Sequence, residues 1–558
     1  MDQQLQILLV MVIYMTLLIL WGLYQGRKVK SDVDYAIAGR QLPGWVAALS
    51  ERATGESSWA LLGLPGAAYA MGLTEIWTAL GCVVGIVTAW AVIAWRLRDL
   101  AESYQVSTFT EFIARKHGEV GKWIRIIGSF TIVFFFFFYV GAQFLGGGKT
   151  LHTIFNIDAN LGMLITAAII VPYTIYGGFR SVVYTDVIQA IIMIITLIIG
   201  PIVGIIYLSS HAGLFAQSIP EALAGAGPTY TSLTGAARGF SAGLIMVGGF
   251  AWFFGYLGGQ PQLSMRFMAI KDPRQAKRGR DIGIAWTLIA YVGALSLGWI
   301  GIALFGPKGL DDPEYVMPAV LLELFPPAIA AILITGAIAA MISTADSLLI
   351  LSATEMSENL IKPSFGKDLD TGRIKGLRRS RIVTASLAVI ALALAYVSPS
   401  RLIFTLVSYV WAGIGCTFSV VIIFSLFWKR FHGRAVLATI IAGLLFTIFW
   451  MSAGFEQHYR VTDDKLSSLV EAEIISEEQA SDFVELLDQK YISVTKFERI
   501  LEEKFTETAT ERIVEEKLPV LVTTFTQKGL TARLFTFIVA LVTAVLTTYL
   551  IPKKEYIL

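Results

Sequence analysis

Residues 50–67, SERATGESSWALLGLPGA, place three charged residues (Glu51, Arg52 and Glu56) and the breaker Gly63-Leu64-Pro65-Gly66 inside an apolar run over 42–72. In hydrocarbon every backbone polar group must be satisfied, so an interrupted helix survives only where it is buried in protein or lines a cavity. The interruption therefore marks a site. A second apolar run, 237–258, contains Gly248-Gly249 and ends in Tyr256-Leu257-Gly258-Gly259-Gln260-Pro261. Discontinuous helices at matching positions in two halves point to an inverted-repeat secondary transporter with its site near the midplane. With the first span counted as peripheral, these runs open two five-helix halves, 42–208 and 237–397.

Outward from the two breaks, apolar runs of the roughly 20 residues that cross about 30 Å of hydrocarbon recur along almost the whole chain. About thirteen spans are expected, near 5–25, 42–72, 75–95, 123–147, 161–177, 182–208, 237–258, 281–305, 327–352, 380–397, 400–428, 434–454 and 532–551. The 558 residues are 55% hydrophobic and only 15% charged, against about 25% charged in soluble domains. That excludes a secreted, cytosolic or coiled-coil protein. The expected fold is an all-α integral membrane protein with an inverted five-helix repeat and discontinuous helices. Its parts are a peripheral first span (1–30), a transporter core (31–455, with extra spans over 400–454), an acidic insert (456–531) and a last span with a tail (532–558).

Charge placement sets the orientation. Loops after odd-numbered spans carry Arg27, Lys28, Lys30 and Arg40; Arg96, Arg98, Arg115 and Lys116; Arg266, Lys271 and Arg274; and Lys362 through Arg381, whereas the opposite loops hold little beyond Lys149, Arg238, Lys308 and Arg401. Cytoplasmic loops carry the excess of Lys and Arg, which puts the N-terminus outside and Lys553–Lys554 inside, as expected in a plasma (inner) membrane. The overall balance, 44 Lys+Arg against 42 Asp+Glu, gives no reason to expect a nucleic-acid partner; the oligomeric state is left open. Cys82 and Cys416 lie in apolar segments and offer neither a disulfide framework nor a metal site. The N-terminal MDQQLQ has no Lys or Arg before its apolar run, so a retained span is expected and not a signal peptide. Residues 456–531 are acidic and carry Ser476-Glu477-Glu478-Gln479 ahead of Phe483, Leu486 and Leu487, which predicts a small helical insert outside the membrane, most simply a solvated one.

Each half also holds carboxylates that hydrocarbon should reject, because an Asp at a helix centre costs on the order of 3 kcal/mol on insertion scales. Asp186 follows Val183-Tyr184-Thr185. Ser343, Asp346 and Ser347 are spaced to share one helical face. Hydroxyl, carboxylate and freed carbonyl oxygens are what a hard cation needs in place of water. Taken alone, the hydroxyls would read as small residues packing helices together.

These residues make the chain resemble the sodium/solute symporter family and, within it, the sodium/proline symporters. The resemblance runs from about residue 30 to 455. It rests on Gly39-Arg40 with Trp45-Val46; Ser57 to Trp59 leading into Gly63-Leu64-Pro65-Gly66-Ala67; Gly177-Gly178-Phe179 with Thr185-Asp186 and Gln189-Ala190; Gly255-Tyr256 with Gln260-Pro261 and Arg266-Phe267-Met268-Ala269; Ala340, Ser343 and Thr344; and Ser408-Tyr409-Val410-Trp411-Ala412-Gly413. It implies a sodium ion, the co-transported ion, held by the backbone carbonyls of Ala53, Glu56 and Ala340 and the hydroxyls of Ser343 and Thr344. Similarity to sialic acid transporters implies a possible second sodium at Asp186, Ser343, Asp346 and Ser347. For the solute, the resemblance points to Ser57, Ser58, Trp59, Tyr139, Trp252, Tyr256, Gln260 and Trp411. Each aromatic taken singly also fits span packing or an interface anchor.

One departure sits at the centre of this site. Where proline symporters carry an aspartate just before the solute-contacting Ser-Gly-Trp, this chain has Gly55, with a carboxylate one residue later at Glu56 and an added Glu51-Arg52. Arg52 and Glu56, spaced i,i+4, can form a buried ion pair; the alternative is a shifted ion or solute site. The expected function is sodium-coupled import of a small organic solute, an amino acid such as proline or a related carboxylate. The partners are then the solute, sodium and the lipid bilayer. No P-loop, metal cluster or nucleophile motif indicates an enzyme. Two alternatives remain, a proton-coupled or uncoupled transporter with Glu56 titrating, and a transporter-like membrane sensor.

Overall fold

The computed structural model describes residues 3–28, 36–118, 120–361, 373–398, 402–453, 457–460, 470, 476–478, 492–493, 520–523 and 531–551. Helices dominate. The first, α1 (Gln3–Gly26), packs beside a continuous core. There follow α2 (Gly44–Ser58), α3 (Leu64–Met71), α4 (Ile76–Thr88), α5 (Ala94–Ser103), α6 (Gly121–Phe155), α7 (Ala159–Ser210), α8 (Phe240–Phe250), α9 (Pro261–Met268), α10 (Pro273–Phe305), α11 (Pro327–Glu355), α12 (Arg373–Val397), α13 (Ile403–Val410), α14 (Thr417–Phe427), α15 (Gly433–Ser452) and α16 (Ala532–Leu550). Among the described residues nine helical stretches are long and apolar enough to cross a membrane, and three shorter apolar helices accompany them.

The longest of the nine stretches, Gly44–Ser103, doubles back at Gly72, whose φ of 62° is a conformation that glycine adopts without a Cβ clash. The reversal is visible against α10. Gly279 and Gly298 of α10 lie against Gly44 and Pro65, so α2 and α3 run parallel to it. Gly283 lies against Trp90 on the returning strand of helix. A built Cβ at Gly298 would stand 2.4 Å from the Pro65 carbonyl, and one at Gly293 2.1 Å from that of Leu197. In lipid, helix association rests on such close packing, which only small residues permit.

Local chemistry fixes where helices start. Asp272 caps α10 by accepting from the Gln275 amide, at 2.9 Å, and Thr108, Asp158 and Thr531 cap their helices in the same way. Backbone bonds from Leu42 N to Ala269 O (3.1 Å) and from Lys271 N to Leu42 O (3.0 Å) clamp the entry to α2 against the exit of α9. The two interrupted runs thus begin the site from adjacent positions. Helix α7 carries a third break, at Gly178 (φ 65°, ψ 177°), at the Gly177-Gly178 pair that separates two expected spans.

The insert departs from expectation. Its described residues include three short strands, β1 (Gln457–Arg460), β2 (Ile492–Ser493) and β3 (Val520–Thr523), forming an antiparallel sheet in the order β2-β1-β3. The strand β3, Val-Leu-Val-Thr, has the β-branched composition that suits a pleated surface, which a search for helix starts overlooks. Glu477 and Glu478 are helical. Phe483, Leu486 and Leu487 lie outside the described residues.

Candidate ion and solute site

Helix α2 loses regular geometry at Ser57, with φ 48° and ψ −162°, a strained setting for a residue with a Cβ. The Trp59 amide donates back to Ser57 Oγ at 3.1 Å and to the Glu56 carbonyl. The chain then continues as a π-helical turn, Trp59–Gly63. Another π-turn, Trp411–Cys416, reaches it through Trp252, which lies against both Trp59 and Trp411, and π-turns inside helices recur at functional positions. The other run breaks after Phe250, passes Gly258 at φ 79° and restarts with Pro261 in the first turn of α9, where the missing N–H of proline is not needed.

On one side of the α2 break lies α11. Ser343 Oγ donates to the Ala53 carbonyl at 3.2 Å and to that of Ala340 at 2.9 Å. Thr344 Oγ1 donates to the Thr54 carbonyl at 3.1 Å. Ala53, Ala340, Ser343 and Thr344 are all fully buried and brought together as expected, with Thr54 as an additional neighbour. The Glu56 carbonyl accepts from the Trp59 amide, which leaves it a second lone pair. The donor set is oxygen only, the chemistry that hard cations take.

The second proposed ion cluster is organised differently. Arg266 of α9, counted from sequence among loop charges, is only 1% exposed and stands inside it. One guanidinium nitrogen lies 3.0 Å from Asp186 Oδ2, 2.6 Å from Ser347 Oγ and 2.7 Å from Thr54 Oγ1, and its Nε donates to Ser50 Oγ at 3.0 Å. Ser50 in turn donates to Asp186 at 2.6 Å. Of the four residues expected at a second sodium, Ser343 turns to Ala53, Asp186 and Ser347 meet the Arg266 guanidinium, and Asp346 is fully buried in α11. A carboxylate in low dielectric needs a countercharge, and here a residue 80 positions further along the chain supplies it.

Arg52 and Glu56 pair at 2.8 Å with both side chains fully buried. Sequence alone missed the second partner. Glu51, adjacent in sequence, takes the other edge of the guanidinium through both its carboxylate oxygens, and the Trp90 indole donates to Glu51 at 3.0 Å. Gly55 explains how Arg52 is accommodated. A Cβ there would lie 3.3 Å from Arg52 Nη2 and from Leu263, so the guanidinium fills space that a side chain at 55 would claim. The Glu56 carboxylate also faces the buried Tyr291 hydroxyl, which lies 3.3 Å from that of Tyr256, and its Oε2 has an acceptor position to spare.

On the other side of the break is an aromatic box. Trp59 stacks on Trp252, with centroids 4.0 Å apart and planes 18° from parallel. Trp411 meets Tyr139 edge-on at 5.4 Å and Tyr256 at 5.3 Å, and Trp252 lies 5.8 Å from Trp411. The Tyr139 hydroxyl donates to Ser57 Oγ at 3.1 Å, and Gln143 accepts from the Ser58 amide at 3.1 Å. Phe404, not expected from sequence, closes one wall against Trp59 at 5.3 Å. The indole nitrogens of Trp59, Trp252 and Trp411, Ser58 Oγ and Gln260 Nε2 are buried without partners among the described residues. Of the residues expected to bind solute, Ser57, Ser58, Trp59, Tyr139, Trp252, Tyr256 and Trp411 are brought together here, while Gln260 lies against Gly415 of the Trp411–Cys416 turn and accepts from Gln262 at 3.0 Å. Phe135 and Phe136 of the run Phe134–Phe138 are buried, and Phe135 packs on Gly413.

Residues 35–443 match the Sodium:solute symporter family. The chain is 35% identical over 441 residues to the high-affinity proline transporter PutP of Bacillus subtilis strain 168, covering 78% of this chain and 90% of that protein. It is 31% identical over 477 residues to the osmoregulated proline transporter OpuE of the same strain, covering 84% and 94%. Its fold is similar to a substrate-bound outward-open Na+-coupled sialic acid symporter, with a TM-score of 0.67 at 14% identity over 99% of this chain and 100% of that one. The broken helices, the oxygen cluster and the aromatic box thus stand in a multi-pass membrane transporter that belongs to the sodium:solute symporter family and takes sodium as its co-transported ion.

Proposed function

We propose that this protein imports proline or a closely related amino acid across the plasma membrane, driven by one inward sodium ion. The observation that carries the reading is that one break in α2 serves both cargoes: the carbonyl of Ala53 faces Ser343, while Trp59, six residues on, stacks in the aromatic box. The ion is held by the carbonyls of Ala53, Glu56 and Ala340 with the hydroxyls of Ser343 and Thr344. Aromatic faces suit the apolar ring of the solute. The unpartnered indole N–H groups and Ser58 hydroxyl offer donors to its carboxylate, and Glu56 Oε2 offers an acceptor to its ammonium group. An ion bound at Ala53 stiffens the segment that carries Ser57 and Trp59, so each cargo favours the binding of the other; this reciprocity is thermodynamic linkage.

The chain is arranged as about thirteen spans with two five-helix repeats, 42–208 and 237–397, its N-terminus outside and its C-terminus cytoplasmic, and no catalytic step is part of its function. The test is uptake of L-proline and a panel of amino acids, sugars and short carboxylates into proteoliposomes, with sodium and proton gradients imposed separately. Accumulation of proline with the sodium gradient alone is expected. Accumulation driven only by protons, or of a non-amino-acid solute alone, refutes the proposal.

A further inference from the structure

The last helix, α16, begins directly after the insert and beyond the residues that match the family. Its second residue is Arg533, only 2% exposed. The Arg533 guanidinium carbon lies 4.3 Å from the centre of the Trp252 ring. Trp59 stacks on that ring at 4.0 Å. Two groups at such distances cannot share one face of an indole, so Trp252 is held between them. Arg533 is itself held on both sides, by the Ser408 hydroxyl of α13 and by the Gly248 carbonyl of α8 at 3.5 Å, and the Glu75 carboxylate lies within its electrostatic reach. The helix beneath it is anchored, because Phe537 stacks on Phe254 at 4.1 Å and Phe535 on Trp450 at 5.1 Å.

We propose that Arg533 is a positioning residue for solute binding, which fixes the Trp252 indole in the aromatic box from the face opposite Trp59. The helix that follows the insert then becomes part of the solute site. A guanidinium over an indole face is attracted by the ring quadrupole, and more strongly where water is excluded. It also leaves the ring one orientation in which to meet Trp59 and Trp411. The proposal rests on the assignment of the aromatic box to the solute, and the test separates the two.

The full-length protein is compared as wild type, Arg533→Met, Arg533→Lys, Trp252→Phe and Arg533→Met/Trp252→Phe, using the amino acid that the wild type accumulates from a panel headed by L-proline. Arg533→Met is expected to raise KM roughly 3- to 30-fold with maximal rate and sodium half-saturation unchanged, and Arg533→Lys to recover part of the loss. The double variant should match the more severe single one, because both act through one ring; multiplying effects overturn the proposal. If Trp252→Phe raises KM while Arg533→Met does not, only the role of Arg533 is refuted. If Trp252→Phe leaves KM unchanged, the solute assignment fails and the proposal with it. A readout independent of transport is the 19F spectrum of 5-fluorotryptophan-labelled protein, with Trp252 assigned from its phenylalanine variant. Arg533→Met should shift that resonance, and an unmoved one refutes the contact.

Discussion

Removal of Arg52 is expected to cost this protein more than removal of either carboxylate that it holds. The three side chains are buried, and one guanidinium serves two carboxylates, Glu56 at 2.8 Å and Glu51 on its other edge. With both charged, the group carries a net charge of −1. Glu56→Gln therefore leaves a balanced Arg52–Glu51 pair and forfeits one charge-assisted hydrogen bond, about 1.5–3 kcal/mol. Arg52→Met strands two carboxylates, of which Glu51 keeps the Trp90 donor at 3.0 Å among the described residues outside the triad. Breaking one buried pair in this way costs about 3–5 kcal/mol, so the loss should lie at or above the top of that range. A simple i,i+4 pair would be rescued by Arg52→Met/Glu56→Gln. The triad would not, because Glu51 remains stranded; only Arg52→Met/Glu51→Gln/Glu56→Gln should recover stability. Thermal unfolding of the purified protein in detergent, checked by size exclusion, ranks the five proteins. Recovery by the double variant, or Glu56→Gln as damaging as Arg52→Met, would refute the triad.

Ser343→Ala/Thr344→Ala removes two hydroxyl oxygens from the cluster at Ala53 and should raise the sodium concentration for half-maximal uptake at least tenfold, about 1.4 kcal/mol; unchanged sodium dependence in folded protein removes both residues from the ion site. Asp186→Asn should destabilise the protein by stranding Arg266, and Asp186→Asn/Arg266→Met should recover part of that loss with the number of sodium ions per solute unaltered; an altered ratio, read from paired sodium and solute fluxes, restores Asp186 as an ion ligand. Gly255→Ala puts a Cβ 2.5 Å from Trp411 Cδ1 and should displace that ring, raising solute KM while sodium half-saturation holds; a wild-type KM argues against Trp411 in the pocket.

Membrane class and the two interrupted helices were legible in the sequence, and so was a candidate set of site residues that the fold brings near one another. Hydrocarbon supplies no hydrogen-bond partners, so charged and glycine–proline stretches inside apolar runs are conspicuous wherever they occur. Ser57 and Gly258 fall at those stretches. The family blocks then located the oxygens at Ala53 and Ser343 and the aromatics at Trp59, Trp252 and Trp411.

Partnership was not legible, since it depends on which helices meet. The Lys/Arg count treated Arg266 and Lys149 as loop charges. In the fold Arg266 neutralises Asp186, 80 residues away, and Lys149 pairs with Glu314 and Asp312, each at 2.6 Å. Glu51 looked like a bystander beside an i,i+4 pair, yet a guanidinium has two edges and packing decides what meets each. Arg533 gave no signal at all, lying past a long insert and beyond the family match. The sequence by itself determined where the membrane helices must break, because that follows from local polarity in a medium without water. Only the tertiary structure decided which buried charges cancel one another and which are left for an ion or a solute, because Coulomb energy depends on distance in space.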